Sequence, residues 1–186
     1  MLTGKNVRLR ELRKADLEII NEISNEEDVI INLSTRIPAP MPLGVEQNWY
    51  EDYTKKFGTD FVQFVIEKLD GTVIGKCGTV HIDWKNACTT IWVFIGKGEN
   101  RSKGYGTEAL TLFVNFIFQE MNINRVQLLV FDFNARAIAS YEKIGFVVEG
   151  EYKQEIFRHG KYNGVYQMSI LKREYDATKG GDADVI

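Results

Sequence analysis

A mixed α/β domain with a mostly antiparallel central sheet flanked by helices is the fold class this sequence predicts. Three observations lead there. Apolar residues alternate with a period of two in some stretches and recur at helical spacing in others. Their order is one strand, two helices, three strands, a helix, a strand, a helix and two strands. Asp70-Gly71 joins two apolar runs, a strong hairpin signal that makes the middle strands antiparallel. At 186 residues and 44% hydrophobic, the chain has the length and apolar content for a single core.

Each element follows from its local pattern. In "NVRLREL", Val7 and Leu9 alternate with Arg8 and Arg10, which reads as a strand with one wet face. "ADLEIINEIS" places Leu17, Ile20 and Ile23 at helical spacing. "STRIPAPMPLG" holds Pro38, Pro40 and Pro42, all the prolines of the chain, and is a loop because proline fixes φ and removes donors. "VEQNWYEDYTKKF" resumes as a helix with Trp49 and Tyr53 four residues apart. The hairpin about Asp70-Gly71 follows, then "CTTIWVFIG", rich in β-branched and aromatic residues. After a glycine- and cation-rich loop come the helix "TEALTLFVNFIFQEM" and the buried-looking strand "RVQLLVFDF". In "NARAIASYEKIGF", Asn134 can cap a helix and Gly145 can end it in a left-handed conformation. Two last strands are expected in "GFVVEGEYKQEIF" and "YNGVYQMSILKR". Residues 1–175 are expected to form one domain. The polar, Gly-rich stretch 176–186, "DATKGGDADVI", is expected to be a loose tail.

Composition narrows the function classes. A formal charge of −3 argues against nucleic acid as the main partner. No apolar run reaches the roughly 18 residues of a membrane span. The opening "MLTGKNVRLR" is too polar for a signal peptide, so a cytoplasmic location is expected. Cys77 and Cys88 make no disulfide framework, and with only His81 and His159 no metal site is expected.

The loop "IGKGENRSKGYGTEAL" carries the first chemical signal. Glycines let backbone N–H groups approach an anion, and a helix start at Thr107 would add unpaired N–H groups and the positive end of a dipole. Arg101 and Lys103 would add full charge. A solvated surface turn is the commoner fate of such a loop, so other patterns must be weighed with it. A P-loop needs Lys-Ser/Thr after its second glycine, and none follows here. Gly104, Gly106 and Ala109 match the dinucleotide pattern G-x-G-x-x-A, but that pattern should follow its strand directly and open the domain. A second constellation decides. Asn134 and Tyr141 are seven residues apart. They therefore share a helix face, about 10 Å apart along the axis. A capping amide and a phenol there would line one edge of an elongated ligand.

These two motifs together resemble the GNAT acyl-CoA N-acyltransferases. "RSKGYG" matches the family's R/Q-x-x-G-x-G/A loop, and "NARAIASYEKIGF" its N-x-x-A-x-x-x-Y-x-x-x-G-F helix. "VRLRELRKADLE" and "GKYNGVYQMSILKREY" resemble the branch with ribosomal-protein N-terminal and spermidine acetyltransferases. The resemblance spans residues 6–175. It implies a sheet splayed between its fourth and fifth strands, acetyl-CoA as cosubstrate without a metal, and direct transfer to an amine. A homodimer is left open. Backbone groups of Arg101, Ser102 and Lys103, then of Gly104, Tyr105, Gly106 and Thr107, would wrap the pyrophosphate. Val93, Phe94 and Ile95 would hold the pantetheine arm by strand-like hydrogen bonds, with a bulge in this run opening the gap and offering an oxyanion donor. Asn134 would hydrogen-bond the cofactor. Tyr141 would protonate the departing thiolate, a phenol near pKa 10 serving a thiol near about 8.5.

Two departures stand out. Thr90 occupies the place near which many relatives carry a Glu that helps deprotonate the amine, so another carboxylate, His81 or water must serve. Ser140 replaces the usual aliphatic residue before the tyrosine. A nucleophilic Cys77 or Cys88 is disfavoured, because cysteine is so often buried for packing. Glu22, Glu26, Glu27 and Asp28, with Glu46, Glu51 and Asp52, would suit a cationic amine, and equally a solvated helix face. The leading expectation is an acetyl-CoA-dependent acetyltransferase acting on a primary amine, with a protein N-terminus first and a polyamine or aminoglycoside second. A non-catalytic acetyl-CoA-binding module and a Rossmann-type oxidoreductase are the rivals from other classes.

Overall fold

The computed structural model describes residues 1–96 and 98–179. Strands β1 (Leu2–Thr3) and β2 (Val7–Arg10) lead through a 3₁₀ turn into three helices, α1 (Leu17–Ser24), α2 (Glu27–Leu33) and α3 (Leu43–Lys56). Strands β3 (Gln63–Lys68), β4 (Val73–Asp83) and β5 (Cys88–Ile95) follow, then α4 (Tyr105–Glu120), β6 (Arg125–Phe131) and α5 (Ala135–Glu142). The hairpin β7 (Val147–Arg158) and β8 (Lys161–Leu171) precedes α6 (Lys172–Lys179). The strands make one sheet, ordered β1-β2-β3-β4-β5-β6-β8-β7. Every pairing is antiparallel except β5 with β6. The predicted mixed, mostly antiparallel architecture is therefore present.

Three short elements were not foreseen. β1 has two residues, and α2 follows α1 so closely that its pattern merges with the helix before it. The third, α6, runs four residues past the expected domain boundary at residue 175. Residues 176–179 are helical, and Tyr175 is buried to 2% exposure against the ring of Phe118, 5.2 Å between centroids. A single buried aromatic in a charged stretch left too little periodicity to read. The rest of the expected tail, residues 180–186, lies outside the described residues. Among the described residues no helix is long and apolar enough to cross a membrane.

Strand alternation divides the core between two layers. Val126, Leu128 and Val130 of β6 pack with Phe113, Ile117 and Phe118 of α4 on one face of the sheet. Val65 and Phe94 pack with Ile20, Ile23 and Val29 of α1 and α2 on the other.

The parallel pair is short. Cys88, Thr89 and Thr90 pair with Arg125, Val126 and Gln127, and there the ladder stops. Past Thr90 the two strands diverge, which is the predicted splay. The bulge expected within residues 93–96 is displaced, however. Residues 75–79 pair with residues 95–91 without interruption, and the register shifts on β4, where Val80 is the extra residue between Thr79 and His81. A bulge adds local twist to its strand. It lies opposite Ile91 and Thr90, the level at which β5 leaves β6.

Candidate active site

The split between β5 and β6 opens into a cleft of about 730 Å³. Most of the sequence-predicted residues meet there. Val93, Phe94, Ile95, Asn134 and Tyr141 line it, with Arg101, Ser102, Gly104, Gly106 and Thr107. Lys103 and Tyr105 do not: Lys103 is exposed, and Tyr105 packs against the core.

Beyond Thr90 the wall made by β5 is a strand edge that no other strand pairs with among the described residues. The N–H of Gly96 donates to the C=O of Ile74 at 2.9 Å. The C=O of Phe94 also faces β4, so near that a Cβ on Gly75 would come within 2.1 Å of it. Antiparallel alternation then turns the backbone groups of Val93 and Ile95 to the other side, toward the split. Phe94 is thus corrected from a backbone ligand to a wall residue; its side chain stacks on Trp92, 5.9 Å between centroids.

The loop end offers unpaired backbone N–H groups without a side-chain cap. α4 starts at Tyr105, two residues before the expected Thr107, after Gly104 in the left-handed region at φ 84°. The first helical bond runs from Glu108 N–H to Gly104 C=O at 2.9 Å. The N–H groups of Tyr105, Gly106 and Thr107 therefore have no helical partner, and no side chain caps them. Glu108 is turned away and binds Asn6 through its backbone and side chain, both at 2.8 Å.

Arg101 plays a different part from the one expected. Its guanidinium pairs with Glu26 at 3.0 Å and with Asp28, and its Nε donates to the Ile95 C=O at 3.1 Å. Its charge is neutralised and spent on tying the loop to α2. Among the described residues, the other cations on the lining are Arg136 of α5 and Lys143 just past its end.

Asn134 begins α5, and its Oδ1 accepts from the N–H of Ala137 at 3.2 Å, as a capping residue should. Tyr141 lies on the sheet side of α5, 8% exposed, and burial pushes its phenol up to about 12. It stays protonated at neutral pH. Cys77 is buried and burial pushes its thiol up, which removes it as a nucleophile. At the fork, Thr90 Oγ1 accepts from Gln127 Nε2 at 3.1 Å. His81 does not line the cleft.

The far half of the cleft is walled by residues that sequence reasoning missed. Val29, Asn32 and Leu33 come from α2, and Ser34 and Thr35 follow it. The apolar spacing of Val29 and Leu33 was the available signal. Asn100, at the base of the loop, is 5% exposed with an unpartnered Nδ2. Arg158 of β7 holds the far rim: it donates to the C=O of Ser34 at 2.8 Å, of Arg36 at 2.5 Å and of Ile31 at 3.4 Å.

A free strand edge, an uncapped helix start and a buried phenol around a split parallel pair define an acyl-CoA-dependent acyltransferase site. The acetyltransferase (GNAT) domain family matches residues 6–147, and the chain belongs to that family. It is therefore an N-acetyltransferase that uses acetyl-CoA. The chain is 27% identical over 175 residues to the spermidine N(1)-acetyltransferase of Escherichia coli (strain K12), covering 94% of this chain and 91% of that protein. It is 25% identical over 178 residues to the SPbeta prophage-derived uncharacterized N-acetyltransferase YokL of Bacillus subtilis (strain 168), covering 96% and 97%. Among solved structures it resembles the spermidine N-acetyltransferase from Vibrio cholerae in complex with CoA and spermine. The TM-score is 0.79 at 25% identity, over 91% of this chain and 97% of that one.

Proposed function

We propose that the chain moves the acetyl group of acetyl-CoA directly to a small primary amine, with Tyr141 as the proton donor to the leaving thiolate. The observation that carries this reading is the meeting of Tyr141, the Val93 and Ile95 edge and the uncapped amides of α4 around one cleft. The amides take the pyrophosphate and the strand edge takes the pantetheine arm, which brings the thioester to the fork near Thr90. A cleft dry enough to lift the phenol also lifts the thiol, so the two groups stay matched more closely than the phenol's value alone suggests. Asn134 contributes mainly by fixing the start of α5. A protein N-terminus was the first expectation for the acceptor. The spermidine enzymes, similar over nearly the full chain, favour a small amine instead.

We also read the protein as cytoplasmic, where acetyl-CoA is supplied, and as self-associating. Val147, Tyr152, Phe157 and Tyr162 leave large apolar side chains exposed on the β7–β8 hairpin, which supports an interface there. Incubation with acetyl-CoA and a panel of amines, read as free thiol, tests the reaction. Coenzyme A binding without thiol release on any amine would leave only a binding module.

A further inference from the structure

Four of the acidic side chains of the N-terminal helices are engaged elsewhere. Glu46 is buried beneath α3, 2.6 Å from Lys76 Nζ, which in turn sits 4.1 Å from the ring centre of Trp49. Glu26 and Asp28 hold Arg101, and Asp52 lies beside Lys55 in solvent. Among the described residues, Asp28 is the one carboxylate on the cleft lining, and it is paired with Arg101, which Glu26 shares.

Past the fork the walls are apolar: Val29 and Leu33, Trp92 and Phe94, Leu129 and Phe131. The guanidinium of Arg158 stands 5.9 Å from the ring centre of Phe131. Arg158 is 6% exposed, and among the described residues no carboxylate is within ion-pair distance of it. Asn32 offers a buried Oδ1 that no donor reaches, while its Nδ2 donates to the Asp28 C=O at 3.0 Å.

These walls fix what can enter. A polyamine would bring a second or third ammonium into a cleft with no free carboxylate, losing hydration without compensation. Arg158, off the lining itself but bonded to the C=O of Ser34 on it, adds a positive charge that opposes a further ammonium. A single amine needs one acceptor, which Asn32 Oδ1 supplies. An apolar body gains about 25 cal/mol per Å² that it buries. With Asp28 tied to Arg101 and no histidine on the described lining, nothing there takes a proton from an ammonium ion.

Resting on the acetyl-transfer reading above, we infer that the acceptor is a monoamine with an apolar body, reacting as the free base, and not a polyamine. The neutral nitrogen attacks the thioester carbonyl; the C–N bond forms and the C–S bond breaks. Tyr141 gives its proton to the thiolate, and the proton lost by nitrogen returns through water to the phenolate. One amide and one thiol result, with no net proton change.

The test is steady-state thiol release by the full chain with 2-phenylethylamine, isoamylamine, putrescine and spermidine, from about pH 7 to about pH 10. The monoamines should exceed spermidine in kcat/KM by about ten-fold or more. Their kcat/KM should rise about ten-fold per pH unit below the amine's own pKa. Asn32→Asp, nearly isosteric, should raise the ratio of spermidine to phenylethylamine by about ten-fold. Spermidine outperforming both monoamines, or an unchanged ratio in Asn32→Asp, overturns the inference and leaves acetyl transfer standing. A pH-independent kcat/KM for the monoamines overturns free-base entry. No thiol release with any of the four, while coenzyme A still binds in calorimetry, overturns the transfer reading itself.

Discussion

Tyr141 and Arg101 were both singled out from the sequence, and the structure treats them differently. Tyr141 lines the cleft, and its burial removes the water that would otherwise compete for the phenol. Tyr141→Phe should lower kcat by about 10² to 10⁴ with little change in KM for acetyl-CoA. A kcat within about threefold of wild type, where chemistry limits turnover, would make the phenol structural. Because burial pushes this phenol up to about 12, activity should show no falling limb near pH 10, the ordinary phenol value. The stability sign is opposite to that of a depressed carboxylate. Below about pH 10 the group is protonated in both folded and unfolded chains. Between about 10 and 12 the unfolded chain loses the proton first, so stability falls by about 2–3 kcal/mol. Alkaline denaturation of wild type against Tyr141→Phe reads this directly. Arg101 was legible as a cation but not as a paired one, because its partners Glu26 and Asp28 are more than 70 positions away. Arg101→Ala should weaken coenzyme A binding about ten-fold, since it leaves two carboxylates facing the phosphate cradle. Adding Asp28→Asn should restore much of that loss in calorimetry; no recovery would mean that Arg101 touches the ligand itself.

At the scale of elements, the clearest surprise is α2. Seven residues with Val29 and Leu33 inward supply one bank of the far half of the cleft, yet they merge in the sequence with the end of α1. The bulge shows the same limit. A one-residue slip between β4 and β5 is a pairing property, and no single strand's pattern reveals which strand carries the extra residue. The hairpin at Asp70-Gly71 and the cap at Asn134 were legible because each is a local backbone requirement. Arg158 joins elements 120 positions and more apart by satisfying carbonyls at and beyond the C-terminal end of α2. Arg158→Ala should loosen that bank and raise KM for the acceptor by roughly 10- to 100-fold. KM for acetyl-CoA, bound at the other end, should stay within about twofold. Arg158→Lys, with one cationic donor group, should recover part of the loss. Equal increases in both KM values would point to a general loss of fold.

For the whole molecule, the fold class was readable because the long, strongly periodic elements dominate the core. The final helix was not, since Tyr175 is its one buried aromatic. Tyr175→Ala should cost about 3–5 kcal/mol. That is a fall in Tm of roughly 10 °C, measured by calorimetry; a shift below about 2 °C would show that α6 adds little. The short parallel ladder has a wider meaning for the molecule as a mechanical object. Three ladder pairs join β5 to β6, where the half-sheet β1–β5 meets the half-sheet β6–β8. The seam is thus a weak line between the two halves of the sheet, and on the reading proposed above the extended arm of coenzyme A would take the place of a missing strand along it. Such a ligand acts as a cross-tie, worth about 2.7 kcal/mol when present at about a hundred times its dissociation constant. Native-state hydrogen exchange should show the amides of Val93 and Ile95 exchanging freely in the empty protein and becoming protected with coenzyme A bound. Protection should also spread into β6, because the two half-sheets would then open as one cooperative unit instead of two.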